Sequence, residues 1–271
     1  MMPQKTAREA GATLTPGMEL YDNPFSPYAF KVRAALYEKG VAHEKREIRT
    51  HADRELLLRV NPRGEVPALV DDGAVLCDSK VICAYLEERH PDPALQPRDL
   101  ALRARCRYLE LFSDNDVDAC VFVLGIIQLT RPELAAQVPD ALARCAELLE
   151  RHYVRLEREL TGREWFLGEF SLVDIALTPH LRSAAFMGHP PGEKHPALGA
   201  WLARGASRPS LKRAMRELAE GYAASQQPDS LFDAKRLHWR SDRIECALRV
   251  GLGAWLADEL ECGRAFLSPI P

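Results

Sequence analysis

Between Met18 and His90 the apolar residues keep changing period. Met18-Glu19-Leu20-Tyr21 alternates as a short strand does. Pro27 to Lys39 then carries Tyr28, Val32, Ala35 and Leu36 at i, i+4, i+7 and i+8, a helical stripe that stops at Gly40. Val41 to Ile48 reads as a second strand and Asp53 to Val60 as a short helix. Pro67 to Val70 and Val75-Leu76 read as a hairpin turning at Asp71-Asp72-Gly73. A further helix, Ser79 to Arg89 with Ile82, Tyr85 and Leu86 inward, ends before Pro91, because proline disfavours helical conformation in the residue ahead of it. The order is βαβ, α, ββα.

Residues 91–97 hold three prolines, Pro91, Pro93 and Pro97, which stiffen a connector and forbid a continuous helix or strand there. Beyond them the period is helical throughout, with Leu102, Cys106, Leu109 and Phe112 on one face and Leu142, Cys145, Leu149, Leu156 and Leu160 on another, and with no further strand signal. Ser171 with Asp174 three residues on, preceded by Phe170 as a staple onto Ile175, marks a strong helix start. The expected organisation is a flexible tail at 1–17, an α/β domain at 18–90, a linker at 91–97, an all-α helical bundle at 98–225 and an extension at 226–271. In the extension Ile244, Leu248, Leu252, Trp255, Leu256 and Leu260 recur at helical spacing and define one amphipathic helix. It is expected to pack on the helical domain; folding over a cleft as a wall or lid is the alternative.

Charge narrows the partners. Of 271 residues 36 are Lys or Arg and 39 are Asp or Glu, so no large basic surface is left over to collect phosphates, and nucleic acid is not an expected partner. Apolar runs such as Ala119 to Ile127 are far shorter than the ~18 to 20 residues of a membrane helix. The first 17 residues lack the apolar stretch of a secretory signal. The seven cysteines (77, 83, 106, 120, 145, 246 and 262) are scattered, without a C-x-x-C pair, and fit a reducing cytoplasm better than a disulfide framework. The eight histidines show no metal-ligand spacing, and the glycine-rich nucleotide loops and the G-x-S-x-G elbow are missing, so neither a metal nor a nucleotide cofactor is expected.

Four motifs stand in order: Pro24-Phe25-Ser26-Pro27-Tyr28 with Val32-Arg33 following, Asn61-Pro62-Arg63-Gly64-Glu65-Val66-Pro67-Ala68-Leu69, Asp78-Ser79, and Ser171-x-x-Asp174. Together they resemble the cytosolic glutathione transferase superfamily, in its serine-type, zeta-, tau- or theta-like bacterial classes, over roughly residues 18–225. The resemblance implies a thioredoxin-like N-terminal domain that binds glutathione, followed by an all-α helical bundle domain, and a homodimer with a role in detoxification. It also implies that Ser26 activates the thiol, that Val66-Pro67 is a cis pair whose backbone meets the cysteinyl part of glutathione, and that Asp78 and Ser79 hold its glutamyl end. Arg54, with His51 and Arg63 nearby, is the candidate cation for the glycyl carboxylate. Glu65 stands where a tau-like class carries a base, and the Ser-Ser-Cys turn of zeta isomerases is replaced by Phe25-Ser26-Pro27-Tyr28.

The chemistry has its own logic. A free thiol of pKa ~8.5 is only a few per cent ionised at pH 7, so a transferase must stabilise the thiolate. Ser26, with Pro27 after it at a first helical position, stands at a helix N-terminus, where unpaired N–H groups and the partial positive charge favour an anion. Its hydroxyl is expected to donate to sulfur, not to act as the nucleophile. Tyr21, in the first strand, is the less favoured donor. The expected reaction is thiolate attack on a small electrophile. The rivals are glutathione-dependent isomerase or dehalogenase chemistry, and a non-enzymatic protein resembling stringent-starvation regulators.

Overall fold

A computed structural model describes residues 17–225 and 237–267. All but the last residue of the expected tail at 1–17 and most of the polar stretch from Pro228 lie outside the described residues. In chain order the first domain comprises β1 (Met18–Asp22), α1 (Pro27–Glu38), β2 (Glu44–Glu47), α2 (His51–Val60), β3 (Ala68–Asp71), β4 (Ala74–Cys77) and α3 (Ser79–Arg89). The strands form one sheet in the order β2-β1-β3-β4, with β2 parallel to β1 and the other neighbours antiparallel. β2 is shorter than its sequence pattern, starting at Glu44 where chain pairing with Glu19 begins.

The sheet has two covered faces. Leu20 and Leu69 join Phe30, Leu36, Ile82 and Leu86 in the main core, while Ile48, Leu57 and Ala68 form a smaller cluster to which Tyr21 packs. Tyr21 is thus among the residues under α2, and burial together with the charge of Glu19 raises its phenol further above the usual range. It is a packing residue in this fold.

The rest is helical: α4 (Leu100–Phe112), a π-helical turn at Ser113–Val117, α5 (Asp118–Gly125), a second π turn at Ile126–Thr130, α6 (Leu134–Gln137), α7 (Pro139–Leu160), α8 (Leu172–Phe186), α9 (Pro196–Ser207) and α10 (Pro209–Ser225). α1 packs against α8 and α10 as well as α3, so it is wedged between the two domains and both of its faces are covered.

The helix start at Ser171 is anchored by Asp174, whose carboxylate accepts from the Ser171 N–H and hydroxyl at 2.9 Å each, from the Phe166 N–H at 3.3 Å and from the Trp201 indole N–H at 2.8 Å. All four donors are buried, and alanine at 174 leaves them without acceptors. Asp174→Ala is expected to cost about 2–4 kcal/mol, read by denaturant unfolding. Asp174→Asn, which turns one acceptor into a donor, is expected to cost nearly as much; a neutral result would show that the cap is dispensable.

The extension departs from its sequence pattern. The single amphipathic helix expected from Ile244 to Leu260 is two, α11 (Ser241–Arg249) and α12 (Gly253–Glu261), flanked by short parallel strands β5 (Leu237–Trp239) and β6 (Ala265–Leu267) that the pattern did not signal. Gly251, at φ 92°, breaks the helix in a backbone conformation that side-chain-bearing residues rarely adopt. The chain then turns back, Leu252 N–H donating to the Ala247 carbonyl at 2.8 Å. In consequence Leu252 and Leu256 are buried while Leu248 is 57% exposed. α11 packs on α5, so the extension does cover the helical domain.

Candidate functional site

Strand register assembles the site. Tyr21 stands opposite Ala68 and Ala68 opposite Cys77, so the residues just beyond these three positions, Asn23 to Ser26, Val66-Pro67 and Asp78-Ser79, gather at one end of the sheet. The Val66–Pro67 bond is cis. The strand ladder with β1 and β4 begins only at Ala68, leaving Val66 ahead of it, partly exposed.

Ser26 caps α1. Its Oγ accepts from the Ala29 N–H at 3.2 Å, which uses an oxygen lone pair and leaves the hydroxyl proton for another acceptor. The side chain is partly exposed, with Pro27 at the first helical position. Asp78 caps α3, accepting from the Lys80 N–H at 2.8 Å, and holds φ 78°, outside the regions that non-glycine residues ordinarily occupy. It is exposed, while Ser79 is buried. Arg54 folds over Gly64: a Cβ built there would lie 2.8 Å from its Nη2, so only glycine lets the guanidinium approach the loop that leads to Val66. Arg63 is paired with Glu65 at 3.0 Å, and the side chain of His51 lies outside what is described.

Arg33, which follows Val32 after the first motif, is buried and fixes the turn before Ser26. Arg33 Nη1 lies 2.5 Å from Asp22 and donates to the Asn23 carbonyl at 3.3 Å, Nη2 donates to the Pro24 carbonyl at 3.1 Å, and Nε is 3.3 Å from Glu217 on α10. Asn23 adds its own clamp, donating to the Ile48 carbonyl at 2.6 Å and accepting from the Phe25 N–H at 2.8 Å. On the far side α10 comes so close that a Cβ on Gly221 would lie 2.5 Å from Pro24 Cβ. The turn is held from both domains.

A second network lies where α1 meets the π turn after α4. Lys31 is 2.6 Å from Asp114 and 3.8 Å from Glu110, and Lys80, beside Ser79, is 3.7 Å from Asp114. Burial pulls the Lys31 ammonium toward neutrality, but Asp114 and Glu110 outweigh it and raise it above the usual lysine range. Tyr28 donates to the Asp114 carbonyl at 2.9 Å, and its phenol is pushed well above the usual range by burial and by Asp118. Asp118 is itself buried; burial works to raise its carboxyl, yet Arg243 and His180 prevail and hold it below the usual range. Among the described residues no group of three or more His, Cys, Asp or Glu is placed to hold a metal, and no helix is long and apolar enough to cross a membrane.

Comparison with known proteins decides the family. Residues 20–94 match the glutathione S-transferase N-terminal domain and residues 139–204 the glutathione S-transferase C-terminal domain. The chain belongs to the glutathione S-transferase family. A stringent starvation protein A homolog from Pasteurella multocida is 30% identical over 220 residues, covering 80% of this chain and 95% of the relative. LigF from Sphingobium sp. is 30% identical over 237 residues, covering 72% of this chain and 91% of the relative. Its solved structure, described as that of a beta-etherase, is 27% identical with a TM-score of 0.63 over 74% of this chain and 99% of that one. A glutathione S-transferase from Methylobacillus flagellatus, solved with GSH bound, is 31% identical with a TM-score of 0.63 and covers 73% of this chain and 98% of that one. The transferase fold of this chain is therefore an α/β domain with a four-stranded sheet followed by a helical domain. The helix starts and the Val66-Pro67 turn that gather here were legible in the sequence. The Arg33 clamp was not, although two charged residues inside the otherwise apolar Tyr28 to Tyr37 stretch were its signal.

Proposed function

We propose that this family member is a glutathione transferase in which the Ser26 hydroxyl donates to the glutathione thiolate, readying it to attack a small electrophile. The observation that carries the reading is the bonding of Ser26: its oxygen is engaged by the Ala29 N–H while its proton is available, at the positive end of α1. The neighbouring groups suit the rest of the tripeptide. Val66, ahead of the β3 ladder, pairs with the cysteinyl backbone as an added strand; Asp78 takes the γ-glutamyl ammonium, Ser79 and the start of α3 its carboxylate, and Arg54 the glycyl carboxylate. Relatives in the family crystallised with glutathione support the same ligand. The protein acts in the cytoplasm, as a homodimer, in detoxification.

The glutathione thiol becomes a thiolate by giving its proton to solvent, and the new S–C bond forms as the leaving group departs or as an activated double bond takes up the electron pair. Isomerisation, dehalogenation and, on the likeness to LigF, ether cleavage use the same thiolate and are separated by a substrate panel. The likeness to a stringent starvation protein A homolog favours a second reading, a regulatory protein with a vestigial site. Retention on glutathione resin separates the two, since a vestigial site gives none. Asp78→Ala is expected to raise the glutathione KM about tenfold or more with kcat little changed, the cost of one hydrogen bond to a charged group. An unchanged KM would remove Asp78 from the binding site.

A further inference from the structure

The stretch from β5 into α11 touches both domains, meeting the first at residues close in sequence to Ser26 and Val66. On the sheet side His238 Nε2 lies 3.6 Å from Glu65, one residue ahead of Val66, and the Arg240 guanidinium sits 4.8 Å from the centre of the Tyr28 ring, two residues after Ser26. On the helical side Arg240 donates to the Asp114 carbonyl at 2.8 Å, the same carbonyl that accepts from Tyr28, and Arg243 donates to both oxygens of Asp118 at 2.8 and 3.2 Å. Trp239 is buried edge-on to Phe122 at 5.4 Å, which pins the segment to α5.

Burial of the extension does not itself require His238 or Arg240. α11 already buries Cys246 and Ala247, and β5 already buries Trp239, so the helical domain is covered without His238 or Arg240. Both side chains also touch the first domain while held on their own side, His238 stacked on Phe266 at 5.1 Å and Arg240 paired with Asp118 at 3.4 Å and Asp242 at 2.6 Å, and both stay about a quarter exposed, at 25% and 26%. The position of Arg240 has a steric meaning. An aromatic group stacking on Tyr28 would set its ring centre ~4.5–7 Å from the tyrosine's, the space in which the guanidinium lies. The family match ends at residue 204, so the segment belongs to this chain's extension and lies outside the shared domains.

We propose that the stretch from Leu237 to Arg243 is the outer wall of the electrophile site, in which Arg240 and His238 set a size limit, admitting small substituents on the glutathione sulfur and excluding bulky aromatic ones. The proposal rests on the thiol-site reading above. The wall closes the Tyr28 side of the site through Arg240 and the Glu65 side through His238, while Arg243, bound to Asp118, keeps the segment anchored.

The test is calorimetric binding of glutathione, S-methylglutathione and S-(2-naphthylmethyl)glutathione to the full-length protein and to Arg240→Ala and His238→Ala, with thermal unfolding as a check on folding. At pH 6, where the bound thiol is still largely protonated, wild type is expected to bind the methyl adduct about as well as glutathione and the naphthylmethyl adduct about tenfold or more weakly, with Arg240→Ala closing most of that gap. His238→Ala is expected to close part of it, and it carries the comparison if Arg240→Ala does not fold. Tight binding of the naphthylmethyl adduct by wild type, or an unchanged ratio in folded variants, overturns the wall while leaving the thiol site standing. Failure of wild type to bind glutathione itself overturns both.

Discussion

Replacing Ser26 with alanine is expected to lower kcat/KM for glutathione conjugation of an aryl halide about 10- to 100-fold, the equivalent of the ~1.5–3 kcal/mol of a hydrogen bond to a charged acceptor. The sign and the shape of the effect matter more than its size. Loss of the donor destabilises the thiolate relative to the thiol, so the rate should rise with pH along a curve displaced toward higher pH, with the deficit shrinking as the solution itself ionises the thiol. Near pH 6 the glutathione KM should change little, because Val66, Asp78, Ser79 and Arg54 do the holding, while at higher pH it should rise as the lost thiolate stabilisation is felt. The same substitution removes the cap on the Ala29 N–H, costing about 1 kcal/mol of stability, which a thermal melt separates from the kinetic effect. A variant with wild-type rates and an undisplaced pH curve would take Ser26 out of the chemistry.

The largest structural effect is expected at Arg33. Its guanidinium is fully buried and serves Asp22, Glu217 and the carbonyls of Asn23 and Pro24 at once. Arg33→Met keeps the bulk and leaves Asp22, also fully buried, without its counter-ion. Breaking a buried pair by removing one partner costs about 3–5 kcal/mol, since the remaining charge is stranded out of water. For a chain of this size that corresponds to a fall in melting temperature on the order of 10 °C. Arg33→Lys is expected to fare nearly as badly, because a single ammonium cannot span partners on β1, the Asn23-Pro24 turn and α10. The turn also positions Ser26, so a raised glutathione KM should accompany the loss of stability at temperatures where the variant is folded. A variant as stable as wild type would show that the turn is held by Asn23 and Gly221 alone.

These two residues illustrate what a single sequence reveals and what it hides. Ser26 was legible because its information is local: a serine followed by proline at the head of an apolar stripe specifies a helix start, and its neighbours in the chain supply the anion-favouring end. The same holds for the Ser171 to Asp174 helix start and for the hairpin at Asp71-Asp72-Gly73. The clamp that Arg33 makes was hidden because its partners are non-local, Glu217 lying 184 positions away by number (217 minus 33) on a helix of the other domain. Nothing in a periodicity reading says that both faces of α1 are covered, and a charge within a helix is most often solvated. The pairing of Arg243 with Asp118 was hidden for the same reason. In the extension the helical spacing of Ile244 to Leu260 runs on through Gly251 without a break in period, so only the positive φ of that glycine, a property of the folded backbone, divides it into α11 and α12. β5 and β6, three residues each, are too short to show an alternation.

The central claim concerns the ionisation of a sulfur, and the most direct measurement is a titration of the glutathione thiol bound to wild-type protein, followed by the ultraviolet absorbance of the thiolate. A bound pKa of about 6–7 is expected, well below the ~8.5 of a free thiol, with a return toward the free value in Ser26→Ala. A bound thiol that titrates at the free value, in wild type and variant alike, would contradict it.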